Sequence, residues 1–315
     1  MEVAILAAGL GTRLRPLTHS TPKVLVPVLN RPLLGVWLNL LRQAGASRVA
    51  VNTHHLAQQV WDFLEAHRKP DLEIIIRHEP EILGTGGGLR SLASALAEEP
   101  FLAVNADILT DLDLADIFHR HDPEALATLV LHDCPQHNNV WLDRHGRVAA
   151  VGTPPPHPAG SPLAYTGVQV VGRRLLEFLP PTGPADLVTA WRTALARGVR
   201  LAAVVVSGHF WQDVGTPAAY LAAHRLLLAG ASSGLSRYFP NLSDPLVSEG
   251  SRLEEGVVCA GNVCLGREVR VGRGTRLKNV VAWDGAWIGP GLVVEDCLLG
   301  RGARLTVSAC KAVLV

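Results

Sequence analysis

Met1–Pro27, MEVAILAAGLGTRLRPLTHSTPKVLVP, decides how the rest of the chain is read. The apolar run Val3–Ala8 predicts a buried β-strand. It breaks into Gly9-Leu10-Gly11-Thr12-Arg13, a turn that small residues permit. Glycine tolerates positive φ and lets the backbone approach a ligand closely. Strand, glycine turn and basic residue together describe a phosphate cradle of backbone N–H groups. Lys23 follows Pro22 and is one of only four lysines (Lys23, Lys69, Lys278, Lys311), so its place beside the turn carries weight. Two standard phosphate motifs do not fit. GxxxxGK[ST] is absent, and Leu14 stands where the dinucleotide fingerprint needs its third glycine. On these residues alone, a glycine turn ending the first strand of an α/β domain is an equal reading.

The totals narrow the class. A chain of 315 residues with 48% hydrophobic content has room for one large domain and a small one. The net charge is +1 with no basic or acidic block, which argues against a nucleic-acid surface and for small-molecule partners. The apolar start lacks a charged n-region and runs into the glycine turn, unlike a signal peptide. No apolar run approaches the roughly 20 residues of a membrane span. Five cysteines at irregular spacing, with no CxxC pair, predict free thiols and a cytoplasmic protein.

Up to Ala229 the pattern alternates strand and helix. Strands are expected at 3–8, 48–52, 72–77, 101–104, 126–132, 147–151, 164–171 and 200–206. Helices are expected at 33–44, 56–67, 87–97, 113–121, 173–179, 185–197 and 217–229. The alternation predicts a Rossmann-like α/β domain over 1–229, with a mostly parallel sheet and helices on both faces. Ligands of such sheets sit at the carboxyl ends of the strands. Gly9 and Asp107 both follow strand ends.

A turn-rich linker is expected over 230–245, and after it the pattern changes. Positions 257, 263, 269, 275, 281, 287, 293, 299 and 305 are apolar in eight of nine cases at an unbroken spacing of six. That period predicts a parallel β-helix over 246–315, about three coils of three sides, with one apolar residue per side pointing inward. The chain end, Ala312-Val313-Leu314-Val315, is apolar; left exposed it favours association, so a homo-oligomer is expected.

LAAGLGTRLRPLT followed by TPKVLVPV resembles the signature of sugar-1-phosphate nucleotidyltransferases, at Gly9, Gly11, Thr12, Arg13, Pro16, Leu17, Thr18, Pro22, Lys23 and Pro27. The resemblance covers the whole chain, with the catalytic domain first and a left-handed hexapeptide-repeat β-helix second. It implies transfer of a nucleotidyl group from an NTP to a sugar 1-phosphate, with Mg²⁺, no nucleic acid and no membrane. Arg13 and Lys23 would act on the phosphates. Asp107 and Asp213 would hold Mg²⁺: Trp211-Gln212-Asp213-Val214-Gly215-Thr216 matches the family's W-x-D-[IV]-G-T string, while Asp107 follows alanine where glycine is usual. Nucleotide contacts would come from Leu6, Ala8, Gly9, Gly11, Thr12, Asn52, Glu79, Gly84 and Thr85.

Glu79–Gly88, EPEILGTGGG, reads as a second glycine loop. In the family, the positions of Glu79 and Gly84 read the base. An ionised Glu only accepts hydrogen bonds, which favours guanine with its paired donors, tolerates uracil and disfavours adenine. LGTGG is similar to loops of mannose- and heptose-1-phosphate guanylyltransferases, whereas N-acetylmuramate-1-phosphate uridylyltransferases tend to show LETGGG. Asn138 (or Asn139), Thr166 and Gly167 are the expected sugar contacts. The family's E-K-P lysine, which holds the sugar phosphate, is missing: the segment reads Val151-Gly152-Thr153-Pro154-Pro155-Pro156. A non-catalytic nucleotide-sugar-binding subunit is the competing reading. His54 and His55 lack a third ligand nearby and read as loop histidines.

Overall fold

The computed structural model describes residues 1–156, 158–232, 234–235, 238–239 and 242–315. They form two compact units, each assembled from separate stretches of chain. One comprises Met1–Gly9, Trp37–Ile108 and Leu112–His209; the other comprises Leu10–Val36, Leu109–Asp111 and Phe210–Val315.

The first unit is built on seven strands: β1 (Glu2–Leu6), β2 (Arg48–Thr53), β3 (Glu73–His78), β4 (Phe101–Asn105), β5 (Ala127–His132), β6 (Ala164–Val171) and β7 (Ala202–Val205). Their order is β7-β5-β6-β4-β1-β2-β3. Only β6 runs antiparallel to its neighbours. The inner strands are buried on both faces, as parallel strands covered by helices must be. β1 and β4 therefore read as near-continuous apolar runs, with Val3, Ala4, Ile5, Leu102 and Val104 all inaccessible. In chain order the α-helices up to β7 are α1 (Leu33–Gln43), α2 (Ala57–Ala66), α3 (Gly84–Ala93), α4 (Leu114–His119) and α5 (Leu187–Ala196), of which α3 and α5 pack on this core through Leu89, Leu92, Leu187 and Trp191. The strand expected at 147–151 forms, as Val148–Val151, but pairs with Val140–Leu142 in a hairpin outside the main sheet. The helix expected at 173–179 is a 3-10 helix, Arg173–Phe178.

The second unit carries three 3-10 turns in Leu10–Val36, the helix Pro217–Leu228, and a ladder of parallel strands from Leu246 onward, the arrangement of a β-helix. Arg252, Arg270, Trp287 and Arg304 stand in register on successive coils. The repeat is 18 residues from Arg252 to Arg270, but 17 from Arg270 to Trp287 and again to Arg304. One side of each later coil is thus five residues long, and the expected frame of six slips there. The inward positions run 257, 263, 269, 275, then 280, 286, 292, then 297, 303, 309. A second inward series accompanies them at 265, 271, 277, 282, 288, 294, 299 and 305, so two residues per side enter the core. Val281 is turned out of the coil interior, Trp287 lies on the outer face under the Arg304 guanidinium, and Val293 is 47% exposed. Thr275 stays inside because its hydroxyl donates to the Gly289 carbonyl at 2.7 Å. The chain end is largely tied down, since Val313–Leu314 pairs with Val293–Leu299.

Candidate active site

In the second unit, Gly11 opens the turn with φ +63°. A Cβ there would lie 2.9 Å from Thr18 Cγ2 and 3.0 Å from Lys23 Cβ, so both conformation and space require glycine. The Thr18 hydroxyl donates to the Gly11 carbonyl at 2.8 Å and locks the turn. Arg13 and Lys23 follow on short 3-10 turns, Thr12–Leu14 and Lys23–Leu25. Their charged ends converge on one carboxylate. Arg13 Nη2 lies 3.8 Å from Asp213 Oδ2, and Lys23 Nζ lies 4.0 Å from Asp213 Oδ1. The Lys23 side chain is 9% exposed, that of Arg13 63%. Asp213 ends the strand Trp211–Asp213; Phe210, just before it, donates its N–H to Asp111 Oδ1 at 2.6 Å. Gly215 makes the cluster possible, because a Cβ there would sit 2.7 Å from Asp213 Oδ1 and 2.9 Å from Arg13 Nη2. Thr216 then caps the helix at Pro217 by accepting the Ala219 N–H.

Asp213 Oδ1 is buried and accepts no hydrogen bond from the described residues. A hard oxygen with an unused lone pair suits Mg²⁺, which takes one or two carboxylates and completes its shell with phosphate oxygens and water. Among the described residues no group of three or more His, Cys, Asp or Glu forms a metal cage.

In the first unit, Gly9 follows β1, and a Cβ there would meet nothing within 4 Å. Packing therefore does not account for that glycine. Beside it, Asn52 Oδ1 accepts from the Ala7 N–H at 2.6 Å, and Asn52 Nδ2 donates to Glu79 Oε1 at 2.7 Å. Glu79 Oε2 accepts from the Leu83 N–H at 3.1 Å. His54 lies with Nδ1 2.8 Å from the Glu79 carbonyl, so it is a satisfied loop histidine. The Glu79 carboxylate is 1% exposed and both oxygens are engaged. It holds the Asn52 amide and the 79–83 loop in place; the sequence reading gave those acceptors to a base.

The second glycine loop is in fact the first turns of α3. Gly84 has φ +69°, and its Cβ would meet the Ala185 carbonyl at 2.7 Å. The N–H groups of Gly86 and Gly87 donate to that same carbonyl. A Cβ on Gly88 would lie 2.6 Å from Asn52 Nδ2 and 3.2 Å from Leu6 Cδ2. The run is glycine because a backbone and a buried amide come within contact of the helix, despite glycine's poor helix propensity. The Thr85 hydroxyl accepts the Leu187 N–H and lies 3.3 Å from Asp186, the N-cap of α5. It ties two helices together.

Asp107 sits half-buried in the turn after β4. Gly167, with φ +86°, lies within contact of Asn105 and Ile108 beside that turn. Thr166 is fully buried; its hydroxyl donates to the Val130 carbonyl at 3.0 Å and accepts the Val168 N–H. That geometry holds the β6 bulge. Asn138 accepts from the Cys134 N–H and donates to Asp133, closing its own turn. At the end of β5, burial first and then His209, at 5.2 Å between ring centroids, push His132 down to about 4.

A family model described as nucleotidyl transferase matches residues 2–230. The chain belongs to the nucleotidyl transferase family. A mannose-1-phosphate guanylyltransferase of Mycobacterium tuberculosis is 30% identical over 94% of this chain and 83% of its own. A UTP–glucose-1-phosphate uridylyltransferase of Synechocystis is 28% identical over 96% and 81%. An N-acetylmuramate α-1-phosphate uridylyltransferase of Neisseria meningitidis is 33% identical over 69% and 94%. A solved structure of a UDP-glucose pyrophosphorylase from Acinetobacter baumannii shares the fold with a TM-score of 0.62 at 20% identity, covering 76% of this chain and 95% of that one.

Three residues outside the expected site set shape the surroundings of this nucleotidyl transferase's candidate site. Thr18 and Gly215 shape the Arg13–Lys23–Asp213 cluster, and Asp186 anchors Thr85. Thr18 and Gly215 had a visible signal, their places in the L-R-P-L-T and W-x-D-V-G-T strings; Asp186 had none.

Proposed function

We propose that this nucleotidyl transferase converts an NTP, GTP in first place, and a sugar 1-phosphate such as mannose 1-phosphate into NDP-sugar and pyrophosphate. The convergence of Arg13 and Lys23 on Asp213 carries the reading. A buried lysine and an exposed arginine around one carboxylate suit a triphosphate, whose charge must be neutralised as the α–β bond breaks. A sugar phosphate oxygen attacks the α-phosphorus, and pyrophosphate leaves. The phosphate is already ionised at neutral pH, so the chain's work is positioning and electrostatic stabilisation. Lys23 is assigned to charge developing on the α-phosphate and Arg13 to the departing pyrophosphate. Bound Mg²⁺ would supply further charge neutralisation, with Asp213 and Asp107 as its proposed protein ligands. The Asn52–Glu79 network is assigned to holding the nucleotide loop. The guanylyltransferase relatives support GTP; the uridylyltransferase relatives make UTP the alternative.

Residues 246–315 are proposed as an assembly module of a homo-oligomer, supported by the outward Val258, Val293, Val307 and Val315. The five unpaired cysteines suit a cytoplasmic setting, and among the described residues no helix is long and apolar enough to cross a membrane. The test is pyrophosphate release with Mg²⁺, crossing GTP, UTP, dTTP, ATP and CTP with mannose, glucose, heptose and N-acetylmuramate 1-phosphates. A GTP–mannose or GTP–heptose signal is expected. Silence in every well from protein that binds nucleotide refutes catalysis.

A further inference from the structure

We propose that Arg192 is the cation that binds the phosphate of the sugar 1-phosphate, an inference that rests on the reaction proposed above. The segment after Val148–Val151 contains no lysine and turns at Gly152, φ +84°, whose N–H donates to the Asn139 carbonyl at 2.7 Å. An ordinary side chain at 152 would be strained at that φ and would have to push the flexible guanidinium aside. Its Cβ would lie 1.8 Å from Arg192 Nη2 and 3.0 Å from Arg192 Cζ. The guanidinium of α5 therefore occupies the volume that residue 152 leaves empty.

Two contacts aim it there. Trp191, the preceding residue, is buried in the core with its ring edge-on to Tyr165 at 5.0 Å, which fixes the helix face. Arg192 Nε donates to the Val151 carbonyl at 2.8 Å, which fixes the plane of the fork. Its terminal nitrogens make no ion pair with the described residues, and the side chain is exposed. An arginine oriented through Nε, with both Nη groups free, is pre-organised for two parallel bonds to phosphate.

Other cations at this corner serve less well. His132 is held near 4 by burial and by His209, so it is neutral at pH 7. Arg144 and Arg147 lie in the far turn of the hairpin, where Asp143 accepts the backbone N–H groups of His145 and Arg147. Asn139 joins Gly152 through its carbonyl, so Arg192 lies at the same hairpin edge as a residue the sequence offers to the sugar.

The test uses the full chain with its best NTP and sugar 1-phosphate, comparing wild type, Arg192→Gln, Arg192→Lys and Gly152→Ala. Arg192→Gln should raise KM for the sugar phosphate ten- to a hundredfold, with KM for the NTP and the melting temperature unchanged. Arg192→Lys should recover part of the loss. Gly152→Ala should weaken sugar-phosphate binding in the same way by displacing the guanidinium. Inorganic phosphate should compete with the sugar phosphate in wild type and far less in Arg192→Gln. Wild-type turnover with Arg192→Gln at the wild-type KM overturns the role of Arg192 alone. Wild-type silence with every pair overturns the reaction and this role with it.

Discussion

Replacing Gly215 by alanine adds one methyl group, and the structure says where it lands. The new Cβ would lie 2.7 Å from Asp213 Oδ1 and 2.9 Å from Arg13 Nη2, where ordinary contact begins at 3.4 Å. Asp213 must therefore move by about 0.7 Å, and Arg13 by about 0.5 Å, if the backbone holds. Both atoms end flexible side chains, and the Arg13 side chain is largely exposed. Accommodation should cost less than about 1 kcal/mol of stability, within the range of ordinary small substitutions. Catalysis by positioning is less forgiving: a misplacement of about 1 Å costs on the order of a hundredfold. Gly215→Ala should melt within a few degrees of wild type and lose on the order of tenfold to a hundredfold in kcat for pyrophosphate release. A variant with wild-type kcat would refute the claim that the Arg13–Asp213 spacing serves the reaction. A variant that fails to fold would refute the claim that only side-chain ends must move.

Three further outcomes follow from the same structure. Glu79→Gln removes one acceptor from a buried, fully engaged carboxylate; it should cost about 1–3 kcal/mol in urea unfolding and raise KM for the NTP several-fold. Thr166→Val deletes a hydroxyl spent inside the β6 bulge; it should lower stability by about 1 kcal/mol and leave KM for the sugar phosphate unchanged, whereas a raised KM would restore a sugar contact. His224 accepts the Leu29 N–H through Nε2 and is held by burial at about 4, against an ordinary 6.5. The fold thus prefers neutral imidazole: the stability is full above pH 6.5 and drains as pH falls towards 4, by roughly 3 kcal/mol for this group. His224→Gln should show a smaller fall in urea midpoint between pH 7.5 and 4 than wild type.

The sheet was legible because its inner strands are buried on both faces, and so appear as apolar runs between glycine and polar turns. The coil region was legible in kind but not in phase. A single five-residue side after Thr275 moves Val281 and Val293 out of the frame, and hydrophobicity at both inner and outer positions hides the slip. The glycines 84–88 misled because their cause is tertiary: the carbonyl of Ala185, about a hundred residues away, approaches the helix too closely for side chains. The Arg13, Lys23 and Asp213 cluster was readable from motif strings, whereas the commitment of Glu79 and Thr166 to internal hydrogen bonds was not. No one-dimensional pattern shows which lone pairs are already used. Arg192 escaped for the same reason, since its signal is the space left at Gly152 forty residues earlier.

The most direct test of nucleotidyl transfer follows the atoms. Sugar 1-phosphate carrying ¹⁸O in its non-bridging phosphate oxygens would be incubated with GTP, Mg²⁺ and the protein, and the products read by ³¹P NMR and mass spectrometry. Attack on the α-phosphorus predicts equal amounts of NDP-sugar and pyrophosphate, with ¹⁸O in the bridge of the NDP-sugar and none in pyrophosphate. Label in pyrophosphate, or nucleotide consumed without NDP-sugar, would contradict the account.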